Sequence, residues 1–284
     1  MNYNYLGNTG IKVSELCFGT MSFGGQADES TSRSMFNACR DKGINFFDCA
    51  DVYAKGRSEE ILGKCIKDCR DEVVITSKVW GKTGNDVNSR GLSRYHITQA
   101  VEDSLRRLDT DRIDIYFVHR FDDNVPLETT LRSLDDLVRS GKVLHIGASN
   151  YASWQVSKAL GISDRNGWAR FDCIQPMYNL AKRQAEVEIL PMAKCENLGV
   201  IIYSPLGGGL LTGKYSSTDR PDQGRLVENN NYKTRYGADW MYSMAEQFSS
   251  LASQEGVHPV SLAVAWSGAH PAVTAPIIGA RSLE

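Results

Sequence analysis

The sequence predicts a closed (β/α)8 barrel preceded by a short β-hairpin. Three observations carry this reading. Eight apolar, strand-like runs can be placed along the chain, helix-length amphipathic segments alternate with them, and 284 residues is a length that such a barrel fills as one unit. A helix after each strand carries the chain back to its starting edge, so the strands must run parallel.

The first element is the hairpin, because Leu6-Gly7-Asn8-Thr9-Gly10-Ile11 reads as a turn between two short strands. Barrel strands are expected near 15–19, 44–49, 73–79, 113–119, 144–149, 172–177, 199–204 and 275–279. Helices are expected near 30–42, 57–69, 93–108, 127–140, 152–162 and 184–197, with Ser93 capping the third and Gly141 and Gly199 following the fourth and sixth. The stretch from Tyr215 to Arg235 is polar and lacks a helical period, which predicts a long loop over one rim and a candidate lid. Segments 240–255 and 259–269 then read as two helices in the seventh connection. No linker or composition shift divides the chain, so one domain spanning 1–284 is expected, its last covering helix absent after the eighth strand.

Composition narrows the function classes. A hydrophobic fraction of 42% and a charged fraction of 23% supply a core and exclude general disorder. The formal charge of -2, with Lys and Arg scattered, speaks against nucleic acid and against an anionic membrane surface. Met1-Asn2-Tyr3-Asn4-Tyr5 lacks the features of a signal peptide, and no apolar run approaches the ~20 residues that span a bilayer. A cytoplasmic protein is therefore expected, and a homo-oligomer is left open. The seven cysteines contain no CxxC pair and read as reduced, mostly buried thiols; Cys65 and Cys69 are four apart, but no His joins them, so no metal is expected.

In a barrel of this kind the C-terminal strand ends open on one face. Asp48, Lys78, His119, Ser149, Asn150, Gln175 and Tyr203 each end an apolar run, so the fold would gather them at one mouth, with Tyr53 shortly after Asp48. Singly, an Asp near a Lys, or a His at a strand end, reads as well as a structural residue; four complementary groups at one rim read as a proton-transfer centre. A free phenol is a poor acid near neutrality, and the Lys78 ammonium would lower the pKa of Tyr53 while Asp48 holds that ammonium in place. His119, if neutral, could orient a substrate carbonyl oxygen. No Ser or Cys is placed as a nucleophile, so a hydride from a bound cofactor is the natural attacker. A GxGxxG fingerprint is missing, but Tyr203-Ser204-Pro205-Leu206-Gly207-Gly208-Gly209-Leu210-Leu211-Thr212-Gly213-Lys214 offers an aromatic, glycines that admit phosphate and a lysine. Ser149, Asn150 and Gln175 have the side chains to hold a carboxamide. Arg120 could point into the mouth and attract an anionic substrate group, or strand alternation could turn it toward the helices.

These motifs resemble the aldo-keto reductase family over almost the whole chain: Leu16-Cys17-Phe18-Gly19-Thr20-Met21, Phe47-Asp48-Cys49-Ala50-Asp51-Val52-Tyr53, His145-Ile146-Gly147-Ala148-Ser149-Asn150, Tyr203-Ser204-Pro205-Leu206 and Ile277-Ile278-Gly279-Ala280-Arg281-Ser282. The resemblance implies NADPH across the C-terminal rim, with NADH an admissible alternative, and reduction of aldehydes or ketones to alcohols. By it Asp48, Tyr53, Lys78 and His119 form a catalytic tetrad with Tyr53 as the acid. It also implies cofactor contacts from Gly19, Thr20, Met21, Asp48, Ser149, Asn150, Gln175, Tyr203, Ser204, Pro205, Leu206, Gly207, Lys214, Gly279 and Arg281, the last facing a 2′-phosphate. Family members continue past this point through adenosine-binding side chains and a covering helix, which bears on how tightly NADPH would be held. A nicotinamide-sensing regulatory subunit, as the potassium-channel beta subunits of this family are taken to be, is the alternative. A metal-dependent sugar isomerase is a third reading of an eight-stranded barrel, and the lack of a carboxylate and His ligand cluster argues against it.

Overall fold

Two three-residue strands, β1 (Tyr3–Tyr5) and β2 (Lys12–Ser14), open the chain in the computed structural model and pair antiparallel around the predicted turn. The structure describes residues 1–218 and 220–283; Asp219, inside the predicted 215–235 loop, and Glu284, at the end of the predicted domain, lie outside the described residues.

The barrel strands are β3 (Cys17–Gly19), β4 (Phe46–Asp48), β5 (Val74–Val79), β6 (Ile113–Val118), β7 (Val143–Ser149), β8 (Phe171–Gln175), β9 (Gly199–Ile202) and β10 (Ala275–Ile278). They pair parallel in chain order, and β10 closes the ring between β9 and β3. Around them run α1 (Glu29–Asp41), α2 (Arg57–Ile66), α3 (Arg94–Leu108), α4 (Leu127–Arg139), α5 (Ser153–Asn166), α6 (Ile189–Cys195), α7 (Arg225–Glu228), α8 (Asn230–Tyr236), α9 (Asp239–Gln254) and α10 (Pro259–Gly268). Among the described residues no helix is long and apolar enough to cross a membrane.

Local chemistry starts and stops these helices. The Asp28 carboxylate accepts from the Thr31 amide at the head of α1, and the Ser93 hydroxyl accepts from the His96 amide at the head of α3, satisfying donors the helix leaves open. Gly141, at φ +74°, follows α4 as expected. Gly199 does not stop a helix: α6 ends at Cys195, Asn197 takes the left-handed turn at φ +52°, and Gly199 opens β9. A Cβ there would lie 2.5 Å from Leu6 Cδ1, so this glycine makes room for the hairpin. The predicted 184–197 helix is also broken, into a 3₁₀ turn at Gln184–Glu186 followed by α6.

Side chains alternate across each strand. Inward residues Cys17, Phe46, Ile115, Phe117, Cys173, Ile201 and Ala275 fill the barrel, together with fully buried Leu6 and Val13 from the hairpin, which plugs the N-terminal end. The outward set, including Phe47, Ile75, Tyr116, Val118 and Ile146, packs beneath the helices. The 215–235 segment is not a structureless loop. It contains α7 and α8, anchored by Leu226 and Tyr236 in a cluster with Leu210, Tyr215, Met241 and Tyr242. Helices this short bury too few apolar residues to print a period on the sequence.

Candidate active site

Strand register brings the polar strand ends level: Gly19 pairs with Asp48, Asp48 with Thr76, and Ser149 with Gln175. On β5, Thr76 and Lys78 point into the barrel mouth while Ser77 turns outward to the Glu59 carboxylate of α2. Period-two geometry thus delivers a lysine to the interior, where burial of an isolated ammonium would be costly.

Lys78 is fully buried and fully partnered. Its Nζ donates to Asp48 Oδ2 at 2.7 Å and to the Cys49 carbonyl at 2.6 Å, and stands 3.4 Å from the Tyr53 hydroxyl. Asp48 Oδ1 accepts from Thr76 Oγ1 at 2.7 Å and from Gln175 Nε2 at 2.8 Å, so a carboxylate on β4 is held by side chains from β5 and β8. Burial opposes the charge on Lys78, but the adjacent Asp48 and Tyr53 oxygens outweigh it and hold the ammonium above its ordinary pKa. The ammonium is therefore fixed in charge and in position.

Tyr53 follows β4 at the head of a 3₁₀ turn, Tyr53–Gly56, whose Ala54 and Lys55 adopt φ of +47° and +58°. Its ring meets that of His119 edge-on, with centroids 6.1 Å apart. The expected pull of Lys78 on this phenol is present, but it is not the largest influence. Lys78 does pull the pKa down, but burial pushes it up more, to about 12. The phenol thus keeps its proton at neutral pH and stands beside a cation able to stabilise its phenolate. Burial, reinforced by Lys78, pushes His119 down to about 4, so its imidazole is neutral near pH 7.

These groups open on a cleft of about 1680 Å³, larger than the ~300–1,000 Å³ of a common small-ligand pocket. Gly19, Met21, Ser149, Asn150, Gln175, Tyr203, Ser204, Pro205, Leu206, Lys214, Gly279 and Arg281 line it with Asp48, Tyr53 and His119. Two residues expected at the cofactor do not reach the wall. Thr20 is fully buried, its hydroxyl bonded to the Asp48 carbonyl at 3.1 Å and to Ser58 Oγ at 2.9 Å, and Gly207 is buried beneath the turn. Asn150 donates to the His119 carbonyl and accepts from the Tyr203 hydroxyl at 2.7 Å, tying three strand ends together. Gly208 and Gly209, at φ +68° and +106°, take a backbone path that side-chain-bearing residues avoid.

The sequence reading missed Arg225, Tyr232 and Arg235, which line the same cleft from α7 and α8, and Trp80, which lines it after β5. The first three lie in the segment read as a loop, and nothing in its pattern marks them. Lys214, Arg225, Arg235 and Arg281 form no ion pair among the described residues; Lys214 lies over Tyr215, and Arg225 and Arg235 lie over Tyr232. Four cations with no carboxylate partner among the described residues, beside a glycine-rich turn, could hold the phosphates of a dinucleotide.

The profile of the Aldo/keto reductase family matches residues 15–284. The chain is 39% identical over 300 residues to the uncharacterized oxidoreductase YrpG of Bacillus subtilis (strain 168), covering 100% of this chain and 88% of that protein. It is 38% identical over 288 residues to a probable voltage-gated potassium channel subunit beta of Arabidopsis thaliana, covering 99% of this chain and 87% of that one. It is 33% identical over 319 residues to versiconal hemiacetal acetate reductase of Aspergillus parasiticus, covering 100% and 90%. A match of this extent, on a closed eight-stranded barrel whose strand ends gather Asp48, Lys78, Tyr53 and His119, means that the chain belongs to the aldo/keto reductase family.

Proposed function

We propose that residues 1–284 act as one barrel enzyme that reduces aldehydes or ketones to alcohols with NADPH, Tyr53 serving as the general acid. The observation that carries the reading is the position of Lys78 Nζ, 2.7 Å from Asp48 Oδ2 and 3.4 Å from the Tyr53 hydroxyl. When bound, the dinucleotide supplies the hydride for the carbonyl carbon. The carbonyl oxygen then gains charge, and Tyr53 gives it the phenolic proton. The phenolate left behind is stabilised by Lys78, whose own charge Asp48 compensates. Neutral His119 orients the oxygen without offering a second cation. Because these groups are preorganised, little reorganisation is needed when charge develops.

The four cations that are unpaired among the described residues support NADPH over NADH, since each phosphate adds negative charge for them to meet. Arg281, beside Gly279 at the end of the cleft, is our candidate for the 2′-phosphate. A cytoplasmic setting and a small-molecule substrate accord with this chemistry. The test mixes the protein with NADPH or NADH and a panel of aldehydes, and follows nicotinamide absorbance and cofactor affinity. Turnover with NADPH, abolished in Tyr53→Phe, is expected; tight NADPH binding without turnover of any carbonyl would sink the enzyme reading. That outcome would favour a nicotinamide-sensing regulatory subunit, the second reading, which rests on the relatives named as probable potassium channel beta subunits.

A further inference from the structure

Trp80 and Arg120 leave the ends of neighbouring strands. Val79 pairs with Val118 in the β5–β6 ladder, and the His119 amide donates to the Val79 carbonyl, so the residues that follow emerge side by side at the mouth. Both line the cleft beside Tyr53 and His119. The Arg120 guanidinium carbon lies 5.5 Å from the Trp80 ring centroid, and that of Arg90, from the 80–92 loop, lies 5.4 Å from it. Strand alternation therefore does not turn Arg120 toward the helices.

Neither arginine forms an ion pair among the described residues. The nearest acid in sequence, Asp122, is committed elsewhere. Its Oδ2 accepts from the Leu92 amide at 2.8 Å and its Oδ1 from the Asn124 amide at 3.0 Å, which pins the base of the 80–92 loop. The Gly91 amide closes that base on the Trp80 carbonyl at 2.8 Å. Trp80 is thus a fixed platform carrying two cations and no anion.

A guanidinium stacked over an aromatic ring keeps its N–H edge available, and that edge matches a carboxylate or phosphate in two parallel hydrogen bonds. We propose that the substrate is a carbonyl compound bearing an anionic group, held with its carbonyl at Tyr53 and His119 and its anion on the free edge of Arg120 beside Trp80. The inference rests on the reductase reading of the same cleft and adds the substrate class. Arg90 reinforces the positive potential from the outer side of the mouth.

Three aldehydes of one shape test it: 4-carboxybenzaldehyde, 4-formylphenyl phosphate and the neutral methyl 4-formylbenzoate. At low salt, kcat/KM for at least one anionic aldehyde should exceed that for the ester by about tenfold or more, the scale of one charge-assisted hydrogen bond, mainly through KM. The better of the two anions identifies the group. In Arg120→Met the ratio should fall to about one, and Arg120→Lys should restore part of it. A wild-type ratio near one for both anions, or one that survives Arg120→Met, overturns the proposal while leaving the reductase reading intact. If no carbonyl is turned over, calorimetric titration of terephthalate into wild type and Arg120→Met decides alone. Binding lost in the variant upholds the anion site, and equal or absent binding overturns it.

Discussion

A lysine ammonium with no exposed surface is tolerable only because its partners are themselves held in place. Thr76 and Gln175 orient Asp48, and Asp48 orients Lys78. Lys78→Met should lower kcat by about 10²–10⁴-fold, the range for losing assistance to a general acid. It should also destabilise the fold by about 3–5 kcal/mol, since Asp48 is left buried without its counter-ion; kinetics and denaturant unfolding read the two effects separately. Because burial holds the Tyr53 pKa at about 12, carbonyl reduction should show no loss from this group as pH rises to about 10. Alcohol oxidation, which starts from the phenolate, should instead rise about tenfold per pH unit over the same range. A break near neutrality in the reduction profile that vanishes in Tyr53→Phe would contradict this assignment. The members of this centre were legible in the sequence, because Asp48, Lys78 and His119 each end an apolar run and Tyr53 follows Asp48 closely. The sign of the Tyr53 shift was not, since a pattern of residue types does not reveal how much burial opposes a neighbouring charge.

Between β4 and α2 lies another buried ionisable group. Asp51 is 2% exposed, and neither of its carboxylate oxygens reaches a hydrogen-bond partner. Burial first, then the neighbouring Glu59 carboxylate, push it up to about 8, against the pull of Arg107, which pairs with Glu59 at 2.7 Å. A folded-state pKa above the unfolded value of ~3.9 means that the native state binds the extra proton. Stability is therefore full below that value and is lost as pH rises through the folded pKa. Asp51→Asn should remove this slope, so the Tm difference between variant and wild type should grow in the variant's favour from pH 5 to pH 8; a constant difference would refute it. Where α2 crosses α3, a Cβ on Gly63 would meet the Leu108 carbonyl oxygen at 2.6 Å and the Arg107 oxygen at 2.8 Å. Gly63→Ala gains ~1 kcal/mol of helix propensity but drives a methyl into backbone that cannot rotate away, at a cost of about 1–3 kcal/mol. The net change should be a lower Tm. The strands were readable as short apolar runs, and the long helices because each repeats its period over several turns. The short α7 and α8 were not, because each buries a single residue, Leu226 or Tyr236.

Across the whole molecule the hairpin and the candidate active site occupy opposite ends of one barrel. Leu6 is fully buried among Cys17, Phe46, Ile201 and Ala275, so Leu6→Ala should cost about 2–5 kcal/mol of stability, while the KM values for cofactor and carbonyl, set at the other mouth, should hold. Calorimetry and steady-state kinetics on one preparation would check both. The chain order of the eight barrel strands and the longer helices, the parallel sheet and the gathering of Asp48, Tyr53, Lys78 and His119 could be read from the sequence alone, because hydrophobic pattern and residue type are local properties. Only the tertiary structure decided that Thr20 faces Ser58 and not the cleft, that Arg225 and Arg235 join Lys214 and Arg281, and that Arg120 stands over Trp80 without a carboxylate. Each of those outcomes depends on which way a side chain leaves its backbone and on what a distant segment places beside it, and no stretch of neighbouring residues carries that information.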